Sequence, residues 1–98
     1  MQLKIHRSYS TVVAICDSEL IGKNFVEGNL QLDVRENFYK DQEVSESELL
    51  DIIKKQSLED ATFNIVGEKS VKTALKAEII TKKSIGRIQK IPFALVLL

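Results

Sequence analysis

The sequence predicts an α+β fold: a single mixed β-sheet of about five to six strands with two main helices packed on one face. Three observations carry this. Short runs of alternating or β-branched apolar residues recur along the chain, as strands require. Two longer segments instead repeat their apolar residues at helical spacing. The connections between them are short and hold few glycines, four in all, with one proline.

The elements follow in order. Leu3-Lys4-Ile5-His6-Arg7 alternates, which puts Leu3 and Ile5 on one strand face. Arg7-Ser8-Tyr9-Ser10 is turn-like, and Thr11 to Cys16 is a β-branched run with the pattern of a strand buried on both faces, so a hairpin joins the two. Asp17 and Ser18 suit the start of a short helical turn over Asp17–Ile21, closed by Gly22. Glu27-Gly28-Asn29 marks a turn, and Leu30, Leu32 and Val34 then form a third strand with one wet face. Ser45-Glu46-Ser47-Glu48 is a capping box, and Leu49, Ile52 and Ile53 continue it as a helix from about Glu46 to Gln56. Ala61 to Val66 reads as a strand ending at Gly67. A second helix starts near Glu68, with Val71, Ala74, Leu75 and Ile79 in one stripe. Gly86–Lys90 and Phe93–Leu98 read as two strands around Ile91-Pro92, the last apolar on both faces and so central in the sheet.

Ninety-eight residues suit one globular domain over 1–98, and the 44% hydrophobic content is ordinary for one. The single cysteine, Cys16, allows no intrachain disulfide. The N-terminus lacks the apolar core of a signal peptide, and the longest apolar run, Phe93 to Leu98, is far short of the roughly 20 residues that span a bilayer. The expectation is a cytoplasmic protein with no membrane partner.

Lys+Arg and Asp+Glu are 14 each, so the formal net charge is zero, which excludes a uniformly basic surface. The zero conceals a division. Residues 1–16 carry +2, residues 17–60 carry twelve acids and a balance of −7, and residues 61–98 carry +5. Lys69, Lys72 and Lys76 share one face of the second helix, and Lys82, Lys83, Arg87 and Lys90 follow. Such a patch suits phosphate groups, with Lys23 a further candidate; it is also the ordinary wet face of an amphipathic helix. Tyr9, Phe38 and Tyr39 are the stacking candidates, too few and too scattered for a stacking platform to accompany the patch.

Asn64–Ser70 places a glycine between a strand and a helix N-terminus, where free backbone N–H groups can meet an anion. Asp17, Asn64, Gly67 and Glu68 are the candidate contacts there. The second glycine of a phosphate loop is missing, and Glu68 would itself occupy the positive end of the helix. No catalytic residue is expected. Cys16 and His6 are the only nucleophilic pair available, the hairpin would bring their strands together, but Cys16 ends an apolar run where it acts as a small hydrophobe. No metal or other cofactor is expected either. One Cys and one His make no ligand cluster, and Asp41, Glu43, Glu46 and Glu48 lack the glycine of a calcium loop.

Val13-Ala14-Ile15-Cys16-Asp17-Ser18-Glu19-Leu20-Ile21-Gly22-Lys23, then Phe25-Val26-Glu27-Gly28, resembles the N-terminal half of a small archaeal family, domain of unknown function 424. Phe38-Tyr39, Ala61–Lys69, Arg87-Ile88 and Ile91-Pro92-Phe93-Ala94 match in order, so the resemblance spans essentially the whole chain. Its most specific parts are Cys-Asp-x-Glu-Leu-x-Gly-Lys and Asn-x-Val-Gly-Glu. The family pattern carries a histidine after the proline, where this chain has Phe93. The resemblance implies an archaeal, cytosolic α+β protein and transfers no activity and no site residues; a translation-related role is association by class alone.

The expected function is a non-enzymatic protein that contacts RNA or a ribonucleoprotein through the basic C-terminal surface. Two alternatives stand beside it: a protein-interaction module or homodimer, and a small enzyme with its site where the Asp17–Lys23 and Asn64–Lys69 segments meet.

Overall fold

A computed structural model describes residues 1–97 and divides them into eight strands and three α-helices. In chain order these are β1 (Gln2–Arg7), β2 (Thr11–Cys16), β3 (Asn24–Glu27), β4 (Leu30–Asp33), α1 (Glu36–Tyr39), β5 (Gln42–Glu43), α2 (Glu46–Leu58), β6 (Thr62–Val66), α3 (Glu68–Lys76), β7 (Gly86–Ile88) and β8 (Ile91–Val96). Six strands form one mixed sheet in the order β5-β1-β2-β6-β8-β7, and β3 pairs with β4 in a separate ribbon. The fold is α+β.

The β1–β2 hairpin forms as the alternation predicts, with Leu3 opposite Ile15 and Ile5 opposite Val13. Strands β2 and β6 run parallel at the centre, and all the intervening elements make up the crossover between them. That crossover, together with α3 after β6, covers both faces of the sheet. Leu49 and Ile53 of α2 and Val71 and Ala74 of α3 pack on Leu3, Val13, Ile15, Phe63 and Ile65, the main core. On the other face Leu20, Val34 and Tyr39, with Phe25 and Leu32 of the ribbon, pack on Ala14, Cys16 and Val66. Both layers exist because β2 is apolar from Val12 to Cys16, which leaves neither face suited to meet water.

Helix α2 carries the capping box: the Ser45 hydroxyl accepts from Glu48 N, and the Glu48 carboxylate accepts from Ser45 N. The helix runs two residues past Gln56, to Leu58. The second helix stops at Lys76, so Ile79 lies beyond it, although it still packs on the core.

Two expectations need correction. The strand read at Leu30–Val34 is β4; it ends at Asp33 and belongs to the ribbon with β3, which the sequence pattern did not mark. Val34 has turned inward, fully buried, with its N–H bonded to Lys23 O at 2.9 Å. The last two strands are joined not around Ile91-Pro92 but at Gln89-Lys90, both with positive φ (49° and 67°), the two-residue turn that matches strand twist. Pro92 therefore lies inside β8, which is tolerated there: it stands opposite Arg87, and its carbonyl accepts from Gly67 N at 2.8 Å. Strand β8 has neighbours on both sides, as expected; Leu98, the end of the expected strand, lies outside the described residues.

Candidate functional site

Helix α3 is divided lengthwise. Ser70, Val71, Thr73 and Ala74 are buried against the sheet, and Lys69, Lys72 and Lys76 are exposed along the outer face. The acidic middle of the chain comes back to meet this face. Lys76 Nζ is paired with the Glu46 carboxylate at the start of α2. The carboxyl of Glu46 is accordingly held below its ordinary range, first by the hydrogen bond from Lys76, then by that charge, with Lys72 adding to it. Glu43 is also held low, by the Ser18 hydroxyl (2.6 Å) and the N-terminal ammonium (2.9 Å), with Lys69 contributing. Arg87 Nη1 is 3.2 Å from the Glu68 carboxylate and also donates to Lys90 O. Of the basic residues singled out in the sequence, two are thus neutralised.

Lys69, Lys72, Lys82 and Lys83 are exposed and make no ion pair among the described residues. Lys82 and Lys83 occupy a single 3₁₀ turn between α3 and β7. Between α3 and β7 runs an open groove of about 490 Å³, its floor made by Val71, Leu75 and Ile85 and its rim by Lys69, Lys72, Arg87 and the acidic Glu68. Lys23 and Lys90 do not line it. Lys23 leads into the ribbon on the other face of the sheet, and Lys90 sits in the β7–β8 turn, whose Gln89 bonds to Glu27 and Val26 of β3.

The Asp17 and Gly67 segments do meet, at the C-terminal ends of the parallel strands β2 and β6. The Asp17 carboxylate, 3% exposed, accepts from Lys69 N at 3.0 Å and from Ser70 N and Ser70 Oγ at 2.8 Å each. Gly67, the N-cap of α3, has no side chain to satisfy these donors, so Asp17 supplies the cap from across the sheet. The fit is close. A Cβ on Gly67 would stand 2.3 Å from Asp17 Cγ, and its φ of 109° is one that side chains avoid. The anion at this helix N-terminus is the protein's own. Glu68 is turned outward to Arg87, and Asn64 projects to the opposite face of the sheet from α3.

The hairpin does not unite Cys16 with His6. His6 stands opposite Val12, four residues from Cys16 along β2, which is about 13 Å at strand spacing. Cys16 is fully buried, and burial, then the charge of Asp17, pushes its thiol up to about 12, far from a nucleophile. His6 instead stacks on Phe38 with ring centroids 4.7 Å apart, its Nε2 2.8 Å from Phe38 O, while Lys4 Nζ donates to Asn37 O at 2.8 Å. These residues clamp α1 onto β1, a role that β1's alternation signals: Gln2, Lys4 and His6 share the face toward the second layer. Among the described residues no group of three or more His, Cys, Asp or Glu is placed to hold a metal ion, and no helix is long and apolar enough to cross a membrane.

No curated protein matches the chain. The fold is similar to that in the crystal structure of an uncharacterized conserved protein from Methanopyrus kandleri, with a TM-score of 0.84 at 22% identity over 98% of this chain and 90% of that one. The profile of the family described as "Protein of unknown function (DUF424)" matches residues 6–98. With nearly the whole chain inside that match, and the Cys16–Lys23 and Asn64–Lys69 segments packed against each other at the sheet's centre, the protein belongs to the DUF424 family.

Proposed function

We propose that this chain is a non-enzymatic binding protein that contacts RNA or a ribonucleoprotein through the outer face of α3 and the turn that follows it. The observation that carries this reading is the set of four exposed lysines that make no ion pair among the described residues: Lys69 and Lys72, on the rim of a groove with an apolar floor, and Lys82 and Lys83, in the turn that follows α3. Phosphates are the natural complement of such a surface. The number of contacts sets the expected behaviour. Four phosphate contacts to a single strand give a salt slope of about −3, so affinity falls about fifty-fold between 50 and 200 mM salt. Lys69→Glu with Lys72→Glu should halve that slope and leave the fold intact, because both side chains are exposed and only the backbone of Lys69 touches Asp17. Filter binding of cellular RNA across a salt series is the test; retention that ignores salt, or none at all, ends the reading.

A second reading, a protein partner or a homodimer, draws on the apolar groove floor of Val71, Leu75 and Ile85. Light scattering at low and high salt together with a pull-down separates the two. The enzymatic reading finds less support, since the Asp17–Gly67 junction is filled by Asp17 itself.

A further inference from the structure

Asn64 occupies an unexpected place for a polar side chain. It lies in the middle of β6, between Ala14 of β2 and Leu95 of β8, where asparagine is a poor strand former. Phe63 and Ile65 on either side of it face the helices, so Asn64 faces the ribbon layer. Its surroundings there are Leu32, Val66, Phe93 and Leu95. Tyr39 reaches the same place from α1 and is only 6% exposed. Neither the Asn64 carboxamide nor the Tyr39 hydroxyl has a hydrogen-bond partner among the described residues. Both line a cleft of about 180 Å³. Neither group is sealed from solvent, so both are open to a ligand, and a few convergent polar groups in an otherwise apolar cleft are the usual composition of a site that orients one.

We propose that this cleft binds a flat, uncharged ring whose edge carries a hydrogen-bond donor beside an acceptor, the pattern of adenine. Each property follows from the walls. No charged side chain lines the cleft, so a phosphate has no counter-charge inside it. Its volume is below the 300 Å³ or more of drug-sized pockets, which limits the occupant to about one ring system. A carboxamide offers a donor next to an acceptor and pairs with the N6 and N7 edge of adenine in two hydrogen bonds. The Phe93 ring is held in place over Gly86, where a Cβ would come within 2.6 Å of it, and provides an apolar wall. The site lies on the opposite face of the sheet from the lysines of α3 and does not rest on the RNA reading.

The test is a titration of isotope-labelled protein followed by NMR, with adenosine, toluene and a short oligoadenylate as probes. Adenosine should shift the side-chain amide of Asn64 and the backbone amides of Val66, Phe93 and Leu95 in a saturable way. Toluene, which lacks the polar edge, should bind about tenfold more weakly or worse, as should adenosine to Asn64→Val or Tyr39→Phe. Asn64→Val should also raise the melting temperature, so that lost binding is not lost folding. Oligoadenylate binding more tightly than adenosine identifies a strand as the source of the base; equal affinity identifies the free nucleoside. Lys69→Glu with Lys72→Glu leaves adenosine binding unchanged, which keeps this site's fate separate from that of the α3 surface. Adenosine that produces no saturable shift at these amides, binds Asn64→Val undiminished, or binds no better than toluene overturns the proposal.

Discussion

The contact between Asp17 and the first turn of α3 predicts a strong and specific coupling between two residues 50 positions apart in the chain. Asp17→Ala removes an acceptor for three donors and leaves Ser70, fully buried, with its N–H and hydroxyl unpaired. A lost cap costs about 1 kcal/mol and each stranded buried group about 1–3 kcal/mol, so the substitution should cost about 4 kcal/mol in all. Gly67→Ala meets two penalties. Its φ of 109° and ψ of 157° lie where only glycine is comfortable, at about 2 kcal/mol, and its Cβ would press on the Asp17 carboxyl, at about 2 kcal/mol more. In the double variant the carboxyl is gone and only the backbone strain remains. The pair should therefore cost about 6 kcal/mol rather than 8, a coupling of about 2 kcal/mol. Against a stability of about 5–15 kcal/mol for a domain of this size, both single variants sit within reach of urea melts followed by circular dichroism at low temperature. Additivity within about 0.5 kcal/mol would refute the close approach; so would an Asp17→Ala variant as stable as the parent.

The remaining predictions concern pH and the cap of α2. Burial, then the charge of Asp17, pushes the Cys16 thiol up to about 12 from an ordinary 9.0. Burial, then Cys16, pushes the Tyr39 phenol from 10.0 to about 12. Above about pH 9 the unfolded chain releases these protons while the native one keeps them, so stability should fall steadily from pH 9 toward 12. A urea midpoint that stays flat between pH 8 and 11 contradicts this, as does native-state labelling of Cys16 by a thiol reagent faster than global unfolding. At α2, Ser45→Ala should cost about 1 kcal/mol, lowering the melting temperature by about 4–8 °C. The box holds two separate bonds, at 2.9 and 3.2 Å, and Ser45→Ala leaves the backbone N–H from which Glu48 accepts, so Glu48→Ala should cost about 0.5–1 kcal/mol more on top of it; no further loss in the double variant would contradict that geometry.

What could be read from the sequence was local. The capping box at Ser45, the β1–β2 hairpin and the split faces of α3 follow from spacings of one to seven residues, and each formed. Asp17 shows why longer-range features were hidden. An aspartate before Ser18-Glu19-Leu20 suits a local cap, yet its carboxylate makes no bond to that turn and instead caps a helix 52 residues later. Gly67 was the available signal, since a glycine N-cap leaves α3 in need of an outside acceptor. The ribbon was missed for a similar reason. Alternation at Leu30–Val34 states that one face is dry but not which layer dries it, and Phe25 and Leu32 find their cover on the second face of the sheet. Gln89-Lys90 escaped notice because neither residue is a usual occupant of left-handed turns.

The balance of charge illustrates the same limit and constrains the proposed function. A −7 middle and a +5 end suggest two opposed surfaces, but folding interleaves them: Glu46 takes Lys76, and Glu43 lies within the field of Lys69. Arg87 is engaged within its own third of the chain, by Glu68. Four lysines of the original cluster remain outside ion pairs among the described residues, two on α3 and two in the turn after it. Four contacts support only the affinity typical of non-specific binding, about 10⁻⁴ to 10⁻⁶ M at physiological salt. Tight association therefore requires a second kind of contact, and the apolar floor of the α3–β7 groove is the surface beside those lysines that can make one. A ribonucleoprotein, which presents phosphates and apolar side chains together, satisfies both demands, whereas naked duplex RNA satisfies only the first. Replacing Leu75 with a polar residue should thus weaken binding to a ribonucleoprotein while leaving the salt slope on free RNA unchanged; equal loss on both would place the groove floor in the fold's stability rather than in recognition.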